Sequence, residues 1–169
     1  MRIYESGMIF GDYDIDNCFH IEKTKLYKKL NGKGYSSVEF ILHRPDKKQL
    51  LFIEAKSSLP DVKNINKYDE RITEISKDFK DSFHLTCGIW FGQNNSKVDM
   101  PANGSCFFSY GTQVVFVLVI KNRTGNLTRI AEEIKRELIR EYRLWQFDIL
   151  VMNEDDVRTY KLVVSDEQT

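Results

Sequence analysis

The sequence predicts an α/β (α+β) fold, a mixed central β-sheet flanked by helices, in a chain of 169 residues. Three observations carry that prediction. Residues 37–44 and 49–57 are short aliphatic and aromatic runs separated by Pro45, Asp46, Lys47 and Lys48, the chemistry of a β-hairpin turn. Residues 114–120 form a continuous β-branched run, as expected of a central strand covered on both faces. Residues 66–89 and 127–144 repeat apolar side chains every three or four positions, the period of an amphipathic helix.

The elements follow in order. Residues 2–10, RIYESGMIF, read as a first strand that Gly11 and Asp12 end. Asp16 and Asn17 can cap a short helix over residues 21–30, with Ile21, Leu26, Tyr27 and Leu30 on one face and Asn31-Gly32 stopping it. The hairpin comes next. In the long helix, Ile72, Ile75, Phe79 and Phe83 make one apolar stripe. Residues 92–109, rich in Asn, Gly and Ser, form an irregular loop. The second long helix aligns Ile130, Ile134, Leu138 and Tyr142. Residues 147–153 give another strand and residues 159–165 a last edge strand. Residues 59–62 link the hairpin to the long helix, and no repeat or domain boundary interrupts the order, so the chain reads as one domain, residues 1–169.

Composition narrows the function classes. Hydrophobic residues are 41% of the chain and aromatics 12%, enough for one substantial core. No apolar run approaches the ~20 residues that span a bilayer, and the N-terminus has no signal-peptide pattern. The three scattered cysteines, Cys18, Cys87 and Cys106, do not form a disulfide framework. A cytoplasmic location is expected. The 25 basic and 25 acidic residues balance, so any nucleic-acid contact must use a local cluster. Lys23, Lys25, Lys28 and Lys29, with Lys33 nearby, supply one. Arg129, Lys135, Arg136, Arg140 and Arg143 supply another, but interleaved glutamates make it read as a solvated helix face.

The hairpin holds the most chemistry. Successive strand residues alternate between faces. Val38, Phe40 and Leu42 therefore face one way, and Glu39, Ile41 and His43 the other. In the second strand Leu51, Ile53 and Ala55 share one face, while Leu50, Phe52, Glu54 and Lys56 share the opposite one. A turn centred between Asp46 and Lys47 sets Glu39 directly across from Glu54. Like charges so placed repel, more strongly among apolar neighbours. Three arrangements relieve this. One carboxyl keeps its proton, Lys56 pairs with both, or a divalent cation binds between them. Carboxylate oxygens are hard ligands suited to Mg²⁺ or Mn²⁺. A cation, two carboxylates and a lysine are the parts needed to activate water against a phosphodiester.

Glu39, a turn, and then Phe52-Ile53-Glu54-Ala55-Lys56 resemble the PD-(D/E)XK nuclease superfamily, the fold of many restriction endonucleases and Holliday-junction resolvases. The resemblance covers about residues 21–56, with the following helix and buried strand in the order of an αβββαβ core. It implies a restriction endonuclease-like core and metal-dependent cleavage of DNA. It also implies Glu39 and Glu54 as ligands of Mg or Mn, Lys56 as the catalytic lysine, and Glu22 as an additional metal-binding acid in the preceding helix. The acid at position 39 is Glu where Asp is more usual, no Pro precedes it, and a strand comes before the short helix. The run IEKTKLYKKL…VEFI…LLFIEAKSS is also similar to a group of bacterial proteins of no assigned activity.

Other patterns carry less. Asp12, Asp14 and Asp16 open like a calcium loop, but Asn17 and Lys23 stand where Gly and Glu are required. His20, His43 and His84 lack zinc spacing relative to the cysteines. His43 reads as half-exposed at a strand end. Trp90, Phe91, Phe107, Phe108 and Tyr110 read as packing beneath the long loop rather than as a base-stacking platform. A reading of a different class is a non-catalytic module of the same fold that contacts a protein partner or a second copy of itself.

Overall fold

The computed structural model describes residues 1–30, 32–93 and 99–163. Its first two strands, β1 (Ile3–Glu5) and β2 (Met8–Phe10), form a small antiparallel hairpin. The expected single strand over residues 2–10 is therefore corrected. Ser6 and Gly7 turn the chain with φ of 50° and 73°. Two consecutive positive φ values match the right-handed twist of a two-residue hairpin, and Gly takes one at no steric cost.

β3 (Cys18–Phe19), β4 (Phe40–Arg44) and β5 (Gln49–Lys56) then make an antiparallel meander. β6 (Gln113–Ile120) adds parallel to β5, and β7 (Asp148–Met152) parallel to β6. Among the described residues the mixed sheet thus has five strands in sequence order, β3-β4-β5-β6-β7. β5 and β6, each with a strand on both sides, are buried from Leu50 to Ala55 and from Val115 to Ile120, which is why neither alternates with polar residues. In the hairpin register Phe40 faces Ile53 and Arg44 faces Gln49, as the turn predicts.

The described residues form five α-helices, α1 (Lys25–Leu30), α2 (Ile65–Trp90), α3 (Leu127–Glu137), α4 (Ile139–Trp145) and α5 (Glu154–Thr159), of which α2, α3 and α5 contact the sheet. α2 carries the chain from β5 back to the start of β6. Its Ile75, Phe79 and Phe83 bury against Ile41, Leu50, Phe52 and Phe116, with Ile130 and Ile134 of α3 in the same core. Phe79 stacks on Phe116 with ring centroids 4.9 Å apart. On the opposite face Phe40, Leu42, Leu51, Ile53, Val115 and Val117 lie under Ile3, Met8 and Phe10 of the β1–β2 hairpin and Val157 of α5.

The remaining corrections are local. The helix expected over residues 21–30 is a single 3-10 turn, Ile21–Lys23, followed by α1. Thr24 interrupts it, with its side chain accepting from the Tyr27 N–H at 3.1 Å. The helix expected over 127–144 divides at Leu138, whose ψ of 20° leaves the helical region. The edge strand expected over 159–165 is not a strand within the described residues. Asn153 and Asp156 form a reciprocal cap that starts α5 instead, and a lone bridge from Val163 to Phe10 follows. Asn31, the centre of the long loop at 94–98, and residues 164 and 165 of that expected strand lie outside the described residues. No described helix is long and apolar enough to cross a membrane.

Candidate active site

Alternation along β5 directs Glu54 and Lys56 to the α2 face, at the end of the strand where the chain leaves the sheet. Glu54 is only 2% exposed, and its Oε1 forms an ion pair with Lys56. Its other oxygen, Oε2, is buried with no hydrogen-bond partner. A buried charge left half-satisfied is costly. Burial accordingly pushes the Glu54 carboxyl up to about 8, against the opposing pull of Lys56. Lys56 is itself half-buried, which disfavours its charge, but the Glu54 carboxylate holds it above the usual lysine range.

Glu39 precedes β4 by one residue. The pairing of Phe40 with Ile53 is the register expected from the turn; the ladder ends there, and Glu39, one residue beyond it, acts on Glu54 by charge. The segment entering the strand departs from strict alternation. Val38, expected beside Phe40 and Leu42, belongs instead to the α2-side core. The reason is that the chain joins the ladder only at Phe40, and the Val38 N–H bonds to Ser82 Oγ of α2 at 2.8 Å. The Glu39 carbonyl lies 3.2 Å from His20 Nδ1. Burial raises the Glu39 carboxyl to about 7, and the nearby Glu5, Glu22 and Asp78 add to the rise while Lys56 opposes it.

Two acids around this pair escape sequence reasoning. Asp78 projects from α2, half-buried and raised by burial, with Ser36 and Lys56 opposing the shift. Its charge acts on Glu39, Glu54 and Lys56 alike. A signal exists: Asp78, Ser82 and Thr86 follow one another at four-residue spacing beside the apolar stripe, and Ser82 and Thr86 are fully buried. Glu5, at the end of β1, is the strongest charge acting on Glu39. The hairpin turn brings it there, because Ser6 Oγ donates to the Ala55 carbonyl at 2.8 Å, between Glu54 and Lys56. Lys121 Nζ donates to the Gly7 carbonyl at 2.6 Å from the end of β6.

Glu22 stands on the 3-10 turn, not within α1, and is exposed, accepting from Ser37 Oγ at 3.2 Å. It acts on Glu39 by charge. Among the described residues no three of His, Cys, Asp and Glu stand close enough together to hold a metal ion. What the site offers a cation is the Glu39–Glu54 pair with its orphaned Oε2, an all-oxygen donor set that fits Mg²⁺ or Mn²⁺.

Lys23, Lys25, Lys28 and Lys29 are all exposed, on the 3-10 turn and α1. Asp99 Oδ2 caps that helix from a distant loop, accepting from the N–H groups of Lys25 and Leu26 at 3.1 and 3.3 Å. His43, expected half-exposed, is 5% exposed and lies 5.3 Å from the buried ring of Phe107, so it belongs to the core. Phe107 packs as expected, whereas Phe91 and Tyr110 stand in solvent. Comparison with known proteins gives no relative: no family model, no curated protein and no solved structure matches the chain.

Proposed function

We propose that the protein is a metal-dependent nuclease that cleaves DNA phosphodiesters through Glu39, Glu54 and Lys56 on a restriction endonuclease-like, PD-(D/E)XK core. The observation that carries this reading is the Glu54 carboxyl, 2% exposed, paired to Lys56 through one oxygen and unpartnered at the other, with the charge of Glu39 acting on it. A buried, half-satisfied carboxyl beside a lysine is costly as a charge, and groups perturbed in this way cluster at reactive sites.

Glu39 and Glu54 would hold a Mg²⁺ or Mn²⁺ ion, which when bound polarises a phosphate and acidifies a water. Lys56 stays cationic beside Glu54, so it can orient the attacking water and neutralise charge developing on the phosphate. Glu22 acts on Glu39 by charge, and the exposed Lys23, Lys25, Lys28 and Lys29 would neutralise phosphates of a DNA backbone. The order of the strands, with α2 linking β5 to a parallel β6, supports the core assignment. The position of α1 between β3 and β4 is a departure from a helix-first core.

The test is incubation of supercoiled DNA with the protein and Mg²⁺ or Mn²⁺. Cleavage that disappears in Glu54→Ala, in a protein that still melts cooperatively, is the expected result. No cleavage together with no metal-dependent rise in Tm refutes the proposal. The second reading, a non-catalytic interaction module, is favoured by Phe91, Tyr110, Leu144 and Trp145, which are 67%, 103%, 74% and 52% exposed.

A further inference from the structure

Of the two acids, Glu54 lies within β5 and pairs with Leu118 of β6, whereas Glu39 lies outside any strand. The β4 ladder begins at Phe40. The backbone around Glu39 is held by side chains instead: the Val38 N–H donates to Ser82 Oγ at 2.8 Å, and the Glu39 carbonyl has His20 Nδ1 at 3.2 Å. Val38 and Ser82 are both fully buried. No water replaces a hydrogen bond broken there.

α2 grips the same segment just upstream. The Ser36 N–H donates to Asp81 Oδ2 at 3.1 Å, and Lys77 Nζ donates to the Gly34 carbonyl at 2.5 Å while pairing with Asp81. A buried helical hydroxyl ordinarily satisfies itself on its own helix, as Thr86 does by donating to the Ser82 carbonyl at 2.7 Å. Ser82 accepts from a residue 44 positions away.

We infer that Ser82 is a positioning residue: through the Val38 amide it holds the Glu39 carboxyl near Glu54 and Lys56. The inference rests on the nuclease reading for its consequence in catalysis, and on geometry alone for the placement of Glu39. A carboxyl displaced by an ångström from a reacting phosphate costs rate, not substrate affinity.

Ser82→Ala and Ser82→Thr test it in Mg²⁺-dependent DNA cleavage, alongside NMR of the Val38 amide and the Glu39 and Glu54 carboxyl carbons. Ser82→Ala is expected to lower kcat roughly ten- to hundred-fold at unchanged KM. It should also speed Val38 amide exchange and move the Glu39 signal while leaving that of Glu54. Ser82→Thr, which keeps the hydroxyl, should restore all three. If Ser82→Ala does not fold, Ser82→Cys is read in its place, since it keeps the volume and weakens the bond. Wild-type kcat with an unmoved Glu39 signal in the folded variant overturns the inference. If the wild-type protein cuts no DNA, the nuclease reading fails by itself, and the NMR signals still decide whether Ser82 places Glu39.

Discussion

Glu54 is a carboxyl whose burial outweighs its lysine partner. Its folded pKa of about 8 exceeds the ordinary 4.5, so the native state binds a proton more tightly than the unfolded chain. The stability this contributes is complete below about 4.5 and is lost as pH rises through about 8. Glu54→Gln mimics the protonated form. It is expected to leave Tm near that of the wild type at pH 4 and to raise it by about 5 °C at pH 9, which thermal melts across that range will read. Lys56→Met removes the only cation that pairs with Glu54 among the described residues. Cleavage is expected to fall on the order of 10³-fold, with the fold retained in circular dichroism.

At the scale of elements, α2 is more than a cover for the sheet. It brings Asp78 to the acids of the hairpin, where its charge raises Glu54 and Glu39. Asp78→Asn should therefore lower both carboxyls, and the acidic limb of the pH–rate profile should move to lower pH. A profile that keeps its wild-type limb would remove Asp78 from the site. α4 ends on Gln146, whose φ of 50° is left-handed, while its N–H still bonds the Tyr142 carbonyl. Gln146→Gly is expected to stabilise the protein by about 0.5–1 kcal/mol in denaturant unfolding, because a side chain is strained in that conformation and glycine is not.

The hairpin register is legible in the sequence because Pro45 and Asp46 fix the turn and the side-chain period of a strand fixes the rest. Glu39 and Glu54 follow from it without any coordinates. Asp78 does not follow. An acid in the middle of an amphipathic helix looks like any solvated one until its neighbours at four-residue spacing, Ser82 and Thr86, are known to be buried. Ser6-Gly7 is likewise hard to see, since a two-residue turn inside nine mostly apolar residues leaves the period-two pattern almost intact. The strand expected near the C-terminus misled for the opposite reason. Its aliphatic run at Leu162 is strong, but the Asn153–Asp156 cap just before it is a local signal for a helix.

Taken as a whole, the molecule has no net charge to draw it to DNA. On the proposed function, DNA binding rests on the local group Lys23, Lys25, Lys28 and Lys29, all exposed on one short stretch of chain. Replacing Lys28 and Lys29 by alanine should weaken binding to every DNA sequence alike. It should also reduce the slope of log K against log salt by about 1 for each phosphate that is no longer neutralised. A titration in which the slope is unchanged would place the DNA elsewhere.

The two ends of the sheet are unequal. β3 closes one end with only two residues, too short to template another strand. β7 closes the other with five, and its centre, Ile149, Leu150 and Val151, is half-buried aliphatic chain without lysine or proline to discourage pairing. Self-association in concentrated or partly unfolded samples is therefore expected to begin by strand addition at β7. The signature is amides at 148–152 that gain exchange protection in the aggregate while those of β3 do not. For anyone storing or crystallising the protein, that edge is the one expected to limit the usable concentration.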